Sequence, residues 1–96
     1  MEIFKTYWKP EEVGKLLKIY PSKLRFYETQ LPKSYLNPPR NKAGVRKYNR
    51  SSIRKLEDII YLRTHGMTLK GITQAIRGKY IDELITFFKT HDNETT

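Results

Sequence analysis

The sequence predicts a mainly α-helical fold with four to five helices and one short two-stranded β-hairpin. Pro10 and Pro21 each open a short segment with apolar residues at helical spacing, and only about three residues separate these segments. From Leu31 to Tyr48 the chain is broken by proline and loses that spacing. The apolar rhythm resumes after Asn49. This order is typical of a helix-turn-helix followed by a wing.

The first two helices are predicted from their start residues and their apolar stripes. Proline at Pro10 is followed by acidic residues, which suit the positive end of the helix dipole. The helix is expected to end near Lys18, and its apolar stripe comprises Val13, Leu16 and Leu17. The second helix is predicted over residues 21–29 with Leu24 facing inward.

A β-hairpin wing is predicted over residues 39–48. The prolines that exclude a continuing helix in this part of the chain are Pro32, Pro38 and Pro39. Two short strands are expected, one around Arg40 and one from Val45 to Tyr48. The residues between them end in Gly44, which can adopt the left-handed conformation that a tight turn requires.

Three further helical segments are expected after the wing. Asn49 is predicted to cap the first, which ends at Gly66, and Thr68 to cap the second, which ends by Gly78. The last segment carries an apolar stripe at helical spacing, formed by Ile81, Leu84, Ile85 and Phe88. The predicted organisation is a folded domain over 1–78, an amphipathic helix over 79–90 and a disordered tail over 91–96.

The charge of the chain indicates a polyanionic partner. The formal net charge is +9, and most of the Lys and Arg residues lie between Lys5 and Lys70. Aromatic and cationic residues alternate in two segments, Leu24 to Glu28 and Gly44 to Tyr48. This interleaving favours a face that binds the phosphates of a nucleic acid over its alternative, a solvated basic surface.

The composition and spacing of the polar residues argue against a catalytic or metal-binding site. Cysteine is absent, which excludes disulfides, thiolate metal sites and cysteine nucleophiles. His65 and His91 are too far apart for a helical metal-binding pair, and His65 is expected to be a helix C-terminal residue. The adjacent acidic pairs Glu11-Glu12 and Glu57-Asp58 point to different helix faces. We therefore expect no enzyme activity, no metal and no cofactor.

The sequence also predicts where the protein acts. No apolar run approaches the roughly 20 residues that span a bilayer, and the N-terminus lacks the apolar stretch of a signal peptide. We expect a cytoplasmic, nucleoid-associated protein without a membrane partner.

Four motifs, in the same order and at similar separations, resemble the MerR-type winged helix-turn-helix domain over about Tyr7 to Ile76. The first is an aromatic residue followed by a helix of the type seen from Tyr7 to Leu17, and the second is Leu24-Arg25-Phe26-Tyr27-Glu28. The third is the Gly-x-Arg-x-Tyr pattern of Gly44, Arg46 and Tyr48, and the fourth is Gly66-Met67-Thr68-Leu69 followed by Ile72.

The resemblance implies that the second helix enters the major groove of double-stranded DNA. The residues that it assigns to DNA binding on this helix are Ser22, Lys23, Arg25, Phe26 and Tyr27. Ser22 and Lys23 match the exposed helix start, and Arg25 and Tyr27 match positions that contact phosphates or base edges. Phe26 stands where the family often has tyrosine, so it lacks one hydroxyl. For Tyr27, core packing is the alternative to a DNA contact.

In the wing, the resemblance implies contacts with the flanking DNA backbone. Arg46 matches the family arginine, and the flanking cations that could reach phosphate are Arg40, Lys42 and Lys47. Tyr48 is either a further DNA contact or a ring packed beneath the wing, and we favour packing.

Three departures from the family pattern affect these expectations. Lys18 stands in place of the turn glycine and Tyr20 in place of a capping serine, which implies a slightly different approach angle. The segment between Glu28 and Pro38 is longer than usual, so the wing is expected to be displaced. Only the short stripe from Ile81 remains where the family's regulators continue into a long dimerisation helix, which implies a stand-alone domain without a small-molecule effector.

The function that these features favour is a double-stranded DNA-binding transcription regulator, with self-association on DNA as a further possibility. The alternative is an excisionase-like or architectural, chromosome-anchoring DNA-binding factor whose C-terminal helix docks a protein partner. An RNA-binding module is less favoured, because no paired aromatic platform of the kind that single-stranded RNA readers use is evident.

Overall fold

A computed structural model describes residues 7–36 and 47–94, with side chains described as far as His91. These residues form six α-helices, which confirms the mainly helical expectation. They are α1 (Pro10–Leu17), α2 (Pro21–Gln30), α3 (Lys33–Leu36), α4 (Arg50–Thr64), α5 (Leu69–Arg77) and α6 (Ile81–Glu94).

The predicted β-hairpin wing is not shown. Most of residues 39–48 lie outside the described residues, including both expected strands except for Lys47 and Tyr48. Within the described ranges, β structure is limited to one isolated antiparallel bridge between Trp8 and Tyr48.

The chain divides into two compact units, Met1–Glu57 and Asp58–Thr96, and their boundary falls inside α4. The apolar residues that are buried in the first unit are Trp8, Val13, Leu24, Tyr27, Leu31, Leu36, Tyr48 and Leu56. Those that are buried in the second unit are Ile59, Leu62, Ile72, Ala75, Ile81 and Ile85. The division into 1–78, 79–90 and 91–96 remains a prediction.

The first two helices begin and end within one residue of their predicted bounds. At the start of α1, the Glu12 carboxylate accepts a 2.9 Å hydrogen bond from the backbone N–H of Lys9. At its end, the chain turns sharply through Lys18, and the N–H of Ile19 donates to the carbonyl of Gly14 over 3.0 Å. That bond is the closing bond of a Schellman motif, which normally places glycine at the left-handed position.

Helix α3 differs from the expectation for this part of the chain, in which Pro32 only ends a helix. Proline excludes the continuation of a helix but is accepted immediately before or in the first turn of a new one. The last carbonyls of α3 are satisfied by side chains of α4 in the same unit. Ser52 Oγ donates to the carbonyl of Leu36 over 3.2 Å, and Lys55 Nζ donates to that of Tyr35 over 2.8 Å.

The predicted caps of the later helices are confirmed. The Asn49 side chain accepts the backbone N–H of Ser52 over 2.9 Å at the start of α4, and the Thr68 hydroxyl accepts that of Gly71 over 3.1 Å at the start of α5. Gly66 takes a left-handed φ of 95° after α4. These are local interactions between a side chain and the adjacent backbone, which explains why the sequence alone identifies them.

Helix α6 continues to Glu94, beyond the predicted end of the amphipathic helix at residue 90 and into the predicted tail. Its stripe is unevenly covered, since Ile81 and Ile85 are buried, Leu84 and Phe88 are half-buried, and the neighbouring Phe87 is 53% exposed. No helix in the described ranges is both long enough and apolar enough to cross a bilayer.

Candidate nucleic-acid interface

Helix α2 has one buried face and one solvent-facing face. Its inward side chains are Leu24 and Tyr27, and Leu31 continues this stripe at the residue that ends the helix. At 100° per residue, the side opposite this stripe carries residues at i, i+3, i+4 and i+7. We call it the outward face of α2; it comprises Ser22, Arg25, Phe26 and Thr29, all of them exposed.

The predicted recognition residues on α2 are therefore divided between the two faces. Ser22, Arg25 and Phe26 lie on the outward face, and Lys23 is exposed at its edge. Tyr27 is only 3% exposed, so its ring packs in the core. Its position three residues after Leu24 explains this burial, because both side chains then fall on one side of the helix.

The predicted wing residues give a similar division where they are described. Lys47 is exposed, whereas Tyr48 is fully buried, as the packing interpretation expected. Among the described residues, the Tyr48 hydroxyl has no hydrogen-bond partner. The other three predicted phosphate contacts lie outside the described residues; they are Arg40, Lys42 and Arg46.

The electrostatic character of α2 suits a polyanion. Its first turn contains no acidic residue, so the positive end of the helix dipole is not neutralised there. Lys23 Nζ lies 5.5 Å from the ring centroids of both Phe26 and Tyr27, within range of cation–π attraction. These contacts hold an ammonium group against the side of the helix, next to the outward face.

Sequence reasoning missed Thr29 as a member of the outward face. Thr29 lies seven residues after Ser22, and its hydroxyl donates a 2.9 Å hydrogen bond to the carbonyl of Arg25. Its oxygen retains acceptor capacity, so it can still receive a hydrogen bond from a base or a water. A helical-wheel projection of residues 21–30 would have identified this residue from the sequence alone.

The turn between α1 and α2 positions the outward face. We call Lys18, Ile19 and Tyr20 the α1–α2 turn. Lys18 adopts φ 58° and ψ 44°, a left-handed conformation that glycine tolerates best. A Cβ on the buried Gly14 would lie only 2.8 Å from the carbonyl oxygen of Ile19. The left-handed turn is thus formed without glycine at its centre, because Lys18 adopts the strained conformation and Gly14 leaves room for the returning backbone.

Tyr20, the third residue of this turn, is also unusual. It is the N-cap residue of α2, but its side chain makes no capping hydrogen bond. The ring is 82% exposed. The turn and the outward face together therefore present two cations, Lys18 and Arg25, and two aromatic rings, Tyr20 and Phe26, along α2 and the turn before it.

The family model described as "MerR HTH family regulatory protein" matches residues 9–79, which include α1 to α5. No curated protein matches the chain.

Proposed function

The chain belongs to the MerR helix-turn-helix family of DNA-binding regulatory proteins, and on that premise we propose that α2 is the recognition helix of a double-stranded DNA-binding transcription regulator. The observation that carries the proposal is the outward face of α2. It joins an arginine, two hydroxyl groups and an aromatic ring on one side of a helix whose other side is buried.

The side chains of this face match the chemistry of the major groove. The Arg25 guanidinium can donate two hydrogen bonds to the O6 and N7 atoms of a guanine. The hydroxyl groups of Ser22 and Thr29 can exchange hydrogen bonds with base edges or phosphates, and Phe26 can contact a thymine methyl group. Lys23, at the edge of the face, is suited to a phosphate.

We propose that the wing, residues 39–48, lies along the flanking DNA backbone. Its cations Arg40, Lys42, Arg46 and Lys47 would supply contacts that do not depend on sequence. The support in the described residues is that Tyr48, at the end of this segment, is buried and bridged to Trp8. That anchor ties the wing to the chain that enters α1.

Binding-site selection with the whole chain, followed by titration of the selected duplex, tests the proposal. Arg25→Ala is expected to weaken binding by about 1–3 kcal/mol if Arg25 contacts a guanine through two hydrogen bonds. Arg77→Ala, which removes an equal charge from an exposed position on α5, is the control and should have little effect. Unchanged affinity in a folded Arg25→Ala variant would remove α2 from the major groove.

The alternative of an excisionase-like or architectural factor is favoured by one observation, the exposed Phe87 on α6. Phe87 contacts Phe88 with the rings edge to face and lies 3.9 Å from the His91 ring, between centroids. Such an exposed aromatic group could dock a protein partner. Footprinting separates these functions: a palindrome indicates a regulator, tandem direct repeats indicate an excisionase-like factor, and diffuse protection indicates an anchoring protein.

Under either function, the proposed partner is double-stranded DNA. Neither function requires a chemical step, a cofactor or a small-molecule effector. Both place the protein on the nucleoid in the cytoplasm.

A further inference from the structure

The α1–α2 turn contains two residues, Lys18 and Tyr20, that are unfavourable for stability at their positions. Lys18 takes a left-handed backbone conformation that disfavours side chains with a Cβ atom. Tyr20 occupies an N-cap position at which serine, threonine, aspartate or asparagine would bind a free N–H of the helix. Neither residue is required for the turn to form, since glycine and serine would form it with less strain.

Two later helices of the same chain are capped by side chains. Asn49 caps α4 and Thr68 caps α5, each through a hydrogen bond from its side chain. At the start of α2 no side chain caps the helix, and the N-cap residue Tyr20 is 82% exposed. The turn between α5 and α6 has a similar backbone, since Lys79 takes a φ of 61° and Tyr80 precedes α6, but Tyr80 is only 44% exposed. The feature that distinguishes the α1–α2 turn is therefore the exposure of its aromatic ring.

The position of Tyr20 indicates what its exposed ring can contact. Tyr20 precedes Pro21 and Ser22, so it lies at the end of α2 where the outward face begins. In helix-turn-helix proteins the N-terminal residues of the recognition helix contact base edges. An exposed ring at this end would therefore reach the groove beside the bases that Ser22 and Arg25 meet.

The chemistry of the ring selects its target. Bases in a duplex are stacked, so their faces are covered and only their edges are open in the major groove. The apolar group presented by those edges is the C5-methyl group of thymine. Lys18, exposed on the same turn, carries an ammonium group suited to the neighbouring phosphate.

We infer that Tyr20 is a specificity-determining residue whose ring packs against a thymine methyl group at the edge of the site read by α2. The inference rests on the proposed function and adds to it a second thymine contact, beside the one open to Phe26. Tyr20 thus leaves α2 without a side-chain cap but contributes to the recognition of one base pair.

The test replaces single thymines by deoxyuridine in the duplex selected by the unaltered chain. Loss of one buried methyl group corresponds to about 0.8 kcal/mol, or about a 4-fold change in affinity. We expect one thymine whose replacement weakens binding of the unaltered chain by about that factor. The same replacement should leave the affinity of Tyr20→Ala nearly unchanged, whereas Tyr20→Phe should respond as the unaltered chain does.

Tyr20→Ser supplies a readout that a purely structural residue would not give. The introduced hydroxyl can cap α2, so the thermal midpoint should rise while discrimination between thymine and deoxyuridine disappears. Tyr80→Ala is the matched control, since Tyr80 is also exposed and also precedes a helix. It should leave this discrimination intact.

Two results would overturn the inference. One is a folded Tyr20→Ala variant that binds as tightly as the unaltered chain and responds to deoxyuridine in the same way. The other is an equal loss on every duplex, including unselected DNA, which would show that Tyr20 contacts only the backbone.

The failure of this inference is distinguishable from failure of the proposed function. If Arg25→Ala weakens binding and Tyr20→Ala does not, only the role of Tyr20 is wrong. If no duplex is selected and Arg25→Ala has no effect, α2 is not a recognition helix, and both proposals are wrong.

Discussion

Trp8 and Tyr48 exchange both of their backbone hydrogen bonds, each with an N–O distance of 2.8 Å, although 40 residues of sequence separate them. Both side chains are buried. Trp8 lies two residues before α1 and Tyr48 two residues before α4. The pair therefore joins the two ends of the segment that contains the α1–α2 turn, α2 and the proposed wing.

Tyr48→Phe is expected to leave the protein as stable as before or to stabilise it by about 1 kcal/mol. The Tyr48 hydroxyl is buried and has no partner among the described residues, and an unsatisfied buried hydroxyl costs about 1–3 kcal/mol. Urea unfolding followed by circular dichroism measures the difference. Tyr80→Phe, at an exposed position, should have no effect. A loss of stability in Tyr48→Phe would show instead that the hydroxyl is hydrogen-bonded.

Lys18→Gly should stabilise the fold. The left-handed conformation of Lys18 costs roughly 1–2 kcal/mol, and the greater freedom of glycine in the unfolded chain offsets about 0.4–1 kcal/mol of the gain. We expect a net increase of about 0.5–1 kcal/mol in the free energy of unfolding. The control, Lys15→Gly in the helical part of α1, should lower stability by about 0.5–1 kcal/mol. The same sign for both variants would contradict the assigned conformation of Lys18.

Gly14→Ala should destabilise the protein, although alanine is normally preferred in a helix by about 0.5–1 kcal/mol. The new Cβ would lie 2.8 Å from a backbone oxygen of the α1–α2 turn, which cannot move as a side chain can. A loss of about 1–3 kcal/mol is expected from overpacking. Gly71→Ala is the matched control, because there the nearest atom is the end of the flexible Met67 side chain, at 3.3 Å. It should be neutral or stabilising.

The caps and the α1–α2 turn show which parts of the fold could be predicted from sequence. Asn49 and Thr68 were identified because a cap depends only on a side chain and the backbone beside it. Helix α3 was missed because its final carbonyls are satisfied by Ser52 and Lys55, which lie 16 and 20 residues away from them in sequence. No local pattern predicts such contacts.

The candidate site follows the same division between features that local sequence determines and features that depend on tertiary packing. Helical spacing places Arg25 on the outward face once Leu24 is buried. The sequence does not decide the role of Tyr27, because tyrosine suits either a core or an interface and its burial depends on the packing around α2. From the sequence, Tyr20 is only a departure from the family pattern, because its exposure depends on the fold around the turn.

Lys42→Ala is expected to weaken binding to all DNA sequences alike. In the proposed wing Lys42 contacts phosphate, so the slope of log K against log salt should become shallower by about one unit. Filter binding or fluorescence anisotropy at several salt concentrations measures that slope. Arg77→Ala should leave it unchanged. If Lys42→Ala altered the preferred sequence, the wing would be reading bases.

The protein is expected to be a monomer in dilute solution and to associate only on DNA. A dimeric coiled coil normally needs three or more heptads, and α6, Ile81–Glu94, has 14 residues. Ile81 and Ile85 of its stripe are already buried. Sedimentation at micromolar concentrations without DNA tests this expectation. A stable dimer that Leu84→Glu converts to a folded monomer would overturn it.

The chain contains a single tryptophan, and its burial beside the bridge to Tyr48 makes it an intrinsic optical reporter of one compact unit only. Its emission follows the loosening of Met1–Glu57, whereas far-ultraviolet ellipticity follows the helices of both units. Coincident melting curves from the two signals would mean that α4 transmits cooperativity across the boundary at Glu57. Separated curves would mean that α5 and α6 can melt while the unit that contains α2 stays intact.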